Sequence, residues 1–176
     1  MIVDDGNQRL SARAACLGVA GGLRSWPPLG ALALNYHADA SMGGWRSWPV
    51  FRSEVGRKLL IGAGAAEFVA DKLPWTQSRL APRIQWSTLD TGLFGRVALV
   101  ALAGAALGSE YGGKYSVAKG AFFAALGAIL GNLGGYYFRA VADEATGLPD
   151  PAVAVVEDAA AVALLNATVP VAMAVR

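Results

Sequence analysis

Residues 120–138, GAFFAALGAILGNLGGYYF, are the longest run in the chain without an Asp, Glu, Lys or Arg, and Lys119 and Arg139 close it at either end. A helix rises 1.5 Å per residue, so a run of this length reaches about 29 Å. The hydrocarbon core of a bilayer is about 30 Å thick, which makes this segment a membrane-spanning helix by length and by composition. The flanking Lys119 and Arg139 suit the two interfaces, where long basic side chains extend their charge toward the head groups.

The rest of the chain reads outward from that segment. Hydrophobic residues form 55% of the 176 residues and charged residues only 16%, with a mean hydropathy of +0.41. Soluble domains carry about a quarter charged residues, and disordered chains carry more. Four further apolar segments accompany the first. Residues 90–109 are interrupted by Arg96, residues 154–175 begin with Glu157 and Asp158, and residues 12–34 contain Arg24 and the Pro27-Pro28 pair. Residues 57–72 are the awkward case, since the apolar part is short, includes Glu67 and runs into Asp71. That segment either crosses at a tilt or enters and leaves on one face. The expected fold is therefore an all-α polytopic membrane bundle of about five segments, at 12–34, 57–72, 90–109, 118–139 and 154–175, in one integral-membrane domain over residues 1–176. Asp4 and Asp5 near the start argue against a secretory signal, whose opening is basic. Lys and Arg divide six to seven between the two faces, or eight to five if the short segment re-enters, so the positive-inside rule does not choose an orientation.

Composition also narrows function. Cys16 is the sole cysteine and His37 the sole histidine, which excludes an internal disulfide and multi-cysteine or two-histidine metal sites within these residues. No nucleophile–base pair stands out, so the sequence offers no enzyme reading, no metal site and no cofactor. The basic residues are scattered, and no nucleic-acid footprint is visible. Between the first two segments, Trp45, Arg46, Trp48, Phe51 and Arg52 alternate aromatic and basic character. That alternation predicts a loop anchored among lipid head groups.

Glycine and charge supply the candidate contacts. Gly127, Gly131 and Gly135 repeat every four residues on one face, as do Gly104 with Gly108 and Gly18 with Gly22. Small residues let membrane helices approach closely, so these faces predict packing inside one bundle or between copies in a homo-oligomer. An echo between residues 68–74, FVADKLP, and residues 140–149, AVADEATGLP, is consistent with an internal duplication. Arg24, Glu67, Asp71, Arg96, Glu157 and Asp158 lie within or beside apolar segments, where each charge is costly and turns toward protein or water. Arg24 and Arg96 read as anion contacts, and the four carboxylates, in surplus, as coupling or gating groups. Arg96 is expected to face protein, with a carboxylate or backbone carbonyl in reach. The prolines after Arg24 predict a kinked or broken first span, since each removes a backbone donor. In residues 71–83, Lys72, Arg79 and Arg83 with Thr76 and Ser78 make a candidate phosphate or head-group contact.

Residues 67–74, EFVADKLP, with the Gly-rich spans, residues 147–151 (GLPDP) and the Glu157-Asp158 pair, resemble the bacterial membrane family called domain of unknown function 4126. The early stretch 21–29, GGLRSWPPL, is similar to that family's first span. The resemblance implies a small multi-pass protein of the bacterial inner membrane and carries no activity with it. Two functions compete at this stage. One is a transporter or translocase of a small anion, a proton-coupled solute or a lipid head group. The other is a membrane scaffold or accessory subunit that works through its glycine faces.

Overall fold

The computed structural model describes residues 5–38, 43–70, 86–146 and 150–169. Among the described residues there are seven α-helices and no strand. They are α1 (Asp5–Leu23), α2 (Pro27–Leu34), α3 (Pro49–Arg52), α4 (Glu54–Ala70), α5 (Trp86–Gly108), α6 (Lys114–Thr146) and α7 (Asp150–Thr168). Short 3-10 turns at Gly44–Ser47 and Ser109–Tyr111 complete the set. The turn from α5 to α6 needs Gly112 and Gly113, whose φ of 74° and 79° suit residues without a Cβ.

The segment expected as one span at 12–34 is instead two helices. Pro27 and Pro28, which end α1, open α2, where the missing N–H costs nothing. The chain also reverses there. A Cβ on Gly21 would sit 3.1 Å from the Pro28 ring, whereas residues seven apart in a continuous helix are separated by about 10 Å. The end of α2 confirms the direction. Tyr36 stacks edge-on against Trp45 at 6.1 Å, and the Trp45 N–H donates to Ser109 Oγ, at 2.9 Å. The same neighbourhood holds the start of α1, because Arg13 donates to the Tyr111 hydroxyl at 2.8 Å.

Paired contacts fix the remaining directions. Gly127, Gly131 and Gly135 meet Ala15, Val19 and Leu23 in turn, so α1 and α6 run in the same sense. Gly104 faces Gly120 and Gly108 faces Ser116, so α5 opposes α6. Gly30 meets Leu60 and Gly64 meets Pro27, which sets α4 antiparallel to α2. Arg13 reaches Thr168 while Arg24 reaches Asp158, so α7 opposes α1. The start of α1, the α5–α6 turn and the end of α7 share one end of the molecule, here the near end. The α1–α2 reversal and the end of α4 lie toward the far end.

The glycine faces pack within the chain. A Cβ on Gly18, Gly22, Gly127 or Gly131 would run into the backbone of the facing helix, so the α1–α6 contact exists only because those side chains are absent. The Gly127 face is thus occupied by α1 and is closed to a second copy.

Two helical stretches, Leu93–Tyr111 and Lys114–Ala142, are long and apolar enough to cross a membrane, and only 39% and 28% of them lie buried inside the protein. Among the described residues the other helices do not pass the same test. Large apolar side chains point outward along these stretches: Phe94 is 70% exposed and Leu130 64%. The aromatic loop differs from its expectation. Trp45 and Phe51 are wholly buried, packed ring to ring at 4.8 Å, and form part of the core rather than a head-group anchor.

Candidate functional site

Charged side chains gather where α1 turns into α2. Arg24, the first residue after α1, is fully buried. Its backbone N–H still donates to Ala20 O at 2.9 Å, and Nη1 donates to Leu23 O at 3.0 Å. Nε reaches across to α7 and donates to Asp158 Oδ1 at 2.7 Å. Nη1 also lies 3.7 Å from Glu157 Oε2. Glu157 and Asp158 are adjacent and point about 100° apart on their helix, and Arg24 meets them through different nitrogens.

Glu157 has a second cation. Arg139 on α6 donates from Nε to both carboxylate oxygens at 2.9 Å and from Nη2 to Oε2 at 2.6 Å. Arg139 is 2% exposed and Glu157 3%. Sequence reasoning assigned Arg139 to the lipid interface, and the structure places it inside the protein. The signal was available: Arg139 and Glu157 each stand nine residues from Leu148, and two helices folding back about that point bring them opposite each other. Gly135 leaves the room. A Cβ there would come within 3.3 Å of Glu157 Oε1.

Glu67 takes another role. Its Oε1 accepts the Ser25 N–H at 2.9 Å and its Oε2 accepts the Trp26 N–H at 2.8 Å. Both donors belong to the break, where the α1 ladder has ended and α2 has no preceding turn to receive them. A carboxylate at this position also faces the positive end of the α2 dipole. Glu67 therefore ties α4 to the backbone of the reversal, one residue from Arg24, and neither Arg24 nor Arg96 is its partner in these contacts.

Arg96 on α5 donates from Nη1 to Gly22 O at 2.7 Å and to Asn132 Oδ1 at 3.4 Å. It holds the last turn of α1 from a third side. The cluster gains a member that sequence reasoning did not supply: Arg139 joins Arg24, so two guanidiniums face Glu157 and Asp158. Asp71, Lys72, Arg79 and Arg83, with Thr76 and Ser78, lie outside the described residues. Among the described residues no group of three or more His, Cys, Asp or Glu is arranged to hold a metal ion.

A second polar knot closes the near end. Arg13 donates to Thr168 O at 2.8 and 3.1 Å and pairs with Glu110 at 3.2 Å. It joins α1, the α5–α6 turn and α7 through a single side chain. No protein-family model matches the chain, and no curated protein or solved structure is found that matches it.

Proposed function

We propose that this chain is a multi-pass membrane protein of about five membrane segments, and that the cluster at the α1–α2 reversal is the working site of a small transporter or translocase. The substrate class is a small anion, a proton-coupled solute or a lipid head group. The membrane reading draws on a polarity that is inside out for water: buried Arg24, Arg139 and Glu157 within, and exposed Phe94, Phe122 and Leu130 without. Kinship with the family called domain of unknown function 4126, carried by residues 67–74 and the Glu157-Asp158 pair, belongs to the same proposal.

One observation carries the transport reading. The protein's own carboxylate, Glu67, occupies two backbone N–H groups at an interrupted helix, beside a buried arginine. Interrupted membrane helices present such groups to anionic cargo and coupling ions. When Glu67 withdraws, the N–H pair and the neighbouring Arg24 offer a place for another anion. The experiment is flux of chloride, phosphate and labelled lipid across vesicles holding the wild type or Glu67→Ala. Transport of any of these by the wild type, lost or altered in the variant, supports the reading. No flux from a folded, inserted wild type defeats it.

The alternative is a scaffold or accessory subunit. It draws on the mutual pairing of Arg24, Arg139, Glu157 and Asp158, which serves cohesion without any cargo. Its surface for partners or for self-association would be the outward helix faces, since the glycine faces are taken within the chain.

A further inference from the structure

The directions of the helices sort the basic residues in a way the linear sequence does not. Because α2 reverses, the turn at Gly44–Ser47, α3 and the first turns of α4 come to the near end. There they join the start of α1 and the start of α6. The near end consequently carries exposed Arg9, Arg52, Lys58 and Lys114. Part-buried Arg46 and Arg57 sit just inside them, both against the Tyr36 ring, Arg57 at 4.2 Å. Arg57 also donates to Phe51 O at 2.7 Å, which keeps its charge at the rim of the Trp45–Phe51 plug. Glu54, paired with Lys58 at 2.6 Å, and Glu110, paired with Arg13, are acids of the same end.

At the far end the described arginines are engaged inside the protein: Arg24 and Arg139 with carboxylates, Arg96 with a backbone carbonyl. Lys72, Arg79 and Arg83 stand between α4 and α5 in the sequence. Even with those three assigned to the far end, the accessible basic charge favours the near end. Carboxylates count for little in this comparison, because orientation follows Lys and Arg rather than net charge.

We propose that the near end is a docking surface for the anionic head groups of one leaflet, which places it on the cytoplasmic side with both the start of α1 and the end of α7. The inference rests on the membrane reading above and adds its sidedness and lipid partner. Anionic lipid concentrates on the cytoplasmic leaflet and attracts basic side chains within a Debye length of the surface. The aromatic plug adds rigidity, since Trp45 and Phe51 fix the collar to the core instead of leaving it on a loose loop.

Labelling from each side tests it. In a Cys16→Ala background, Tyr115→Cys marks the near end and Ala145→Cys the far end; both positions are exposed. They stand about 45 Å apart along α6, more than the hydrocarbon thickness of about 30 Å. Bacterial spheroplasts are treated with an impermeant maleimide, and inverted vesicles likewise. The expected result is labelling of Ala145→Cys alone in spheroplasts and of Tyr115→Cys alone in inverted vesicles. Labelling of Tyr115→Cys in spheroplasts, alone or equally with its appearance in inverted vesicles, overturns the proposal and leaves the membrane reading standing. Labelling of both positions from one side only means that the chain does not cross, and both readings fall. Combined Arg9→Gln, Arg52→Gln, Lys58→Gln and Lys114→Gln should then produce a mixed orientation; an unchanged pattern would remove the collar as its cause.

Discussion

Glu157 is approached by two guanidiniums, from the end of α1 and from α6. Removing one partner of a buried pair leaves an uncompensated charge and costs about 3–5 kcal/mol. Arg139→Met should therefore destabilise the fold on that scale, whereas Arg139→Met with Glu157→Leu should recover a large part of the loss. Unfolding in mixed micelles, with Glu157→Leu alone as the third variant, measures the cycle, and a double-variant loss equal to the sum of the two single losses would show that the pair is not coupled. Glu67→Ala strands the Ser25 N–H, a buried group whose lost partner costs about 1–3 kcal/mol. Faster amide exchange at Ser25 and Trp26, with the α6 amides unaffected, is the expected signature. The chemistry of this site was partly legible. Residue type and depth marked Arg24, Glu67, Glu157 and Asp158 as unusual. Arg139 escaped because its position at the end of an apolar run also fits an interface, and only the pairing of α6 with α7 separates the two.

The helices were easier to read than their directions. Apolar runs overlap α4 to α7, but α6 continues past its run at both ends and α7 begins four residues before its own. Pro27 and Pro28 announced a break, but a break has no sign. The reversal is decided by what Pro28 packs against, the Gly21 face of α1, and that contact is tertiary. Glycine tells the same story in another way. Gly131 touches the Val19 backbone, while Gly134, three residues on, has nothing within 4 Å of where a Cβ would be. Gly131→Leu should push α1 off α6 and lower the thermal midpoint in detergent, and Gly134→Leu should not. An equal lowering at the two positions would mean that contact with α1 does not govern, since leucine is the better helix former by about 1 kcal/mol and propensity alone would raise both. The four-residue spacing picks the face of Gly131 and leaves Gly134 off it, but it does not say whether α1 or a second copy meets that face.

For the whole molecule, the exposed apolar girdle on α5 and α6 predicts retention in the membrane pellet after alkaline carbonate extraction; release into the supernatant would show that the girdle is covered in some other way. The layout of charges has a further effect, on timing. Arg24 and Asp158 are separated by 134 residues, so the arginine leaves the ribosome long before its carboxylate is made. At about 5–20 residues per second, the interval is roughly 7–27 s. During that interval Arg24 is without its Asp158 partner, and Arg139 joins it before α7 arrives. α7 brings the Glu157 and Asp158 carboxylates to both arginines, so this part of the cluster is completed only when α7 has been made. A chain halted before α7 lacks the carboxylates that Arg24 and Arg139 hold in the finished fold, a difference by which a membrane protease can tell unfinished copies from finished ones.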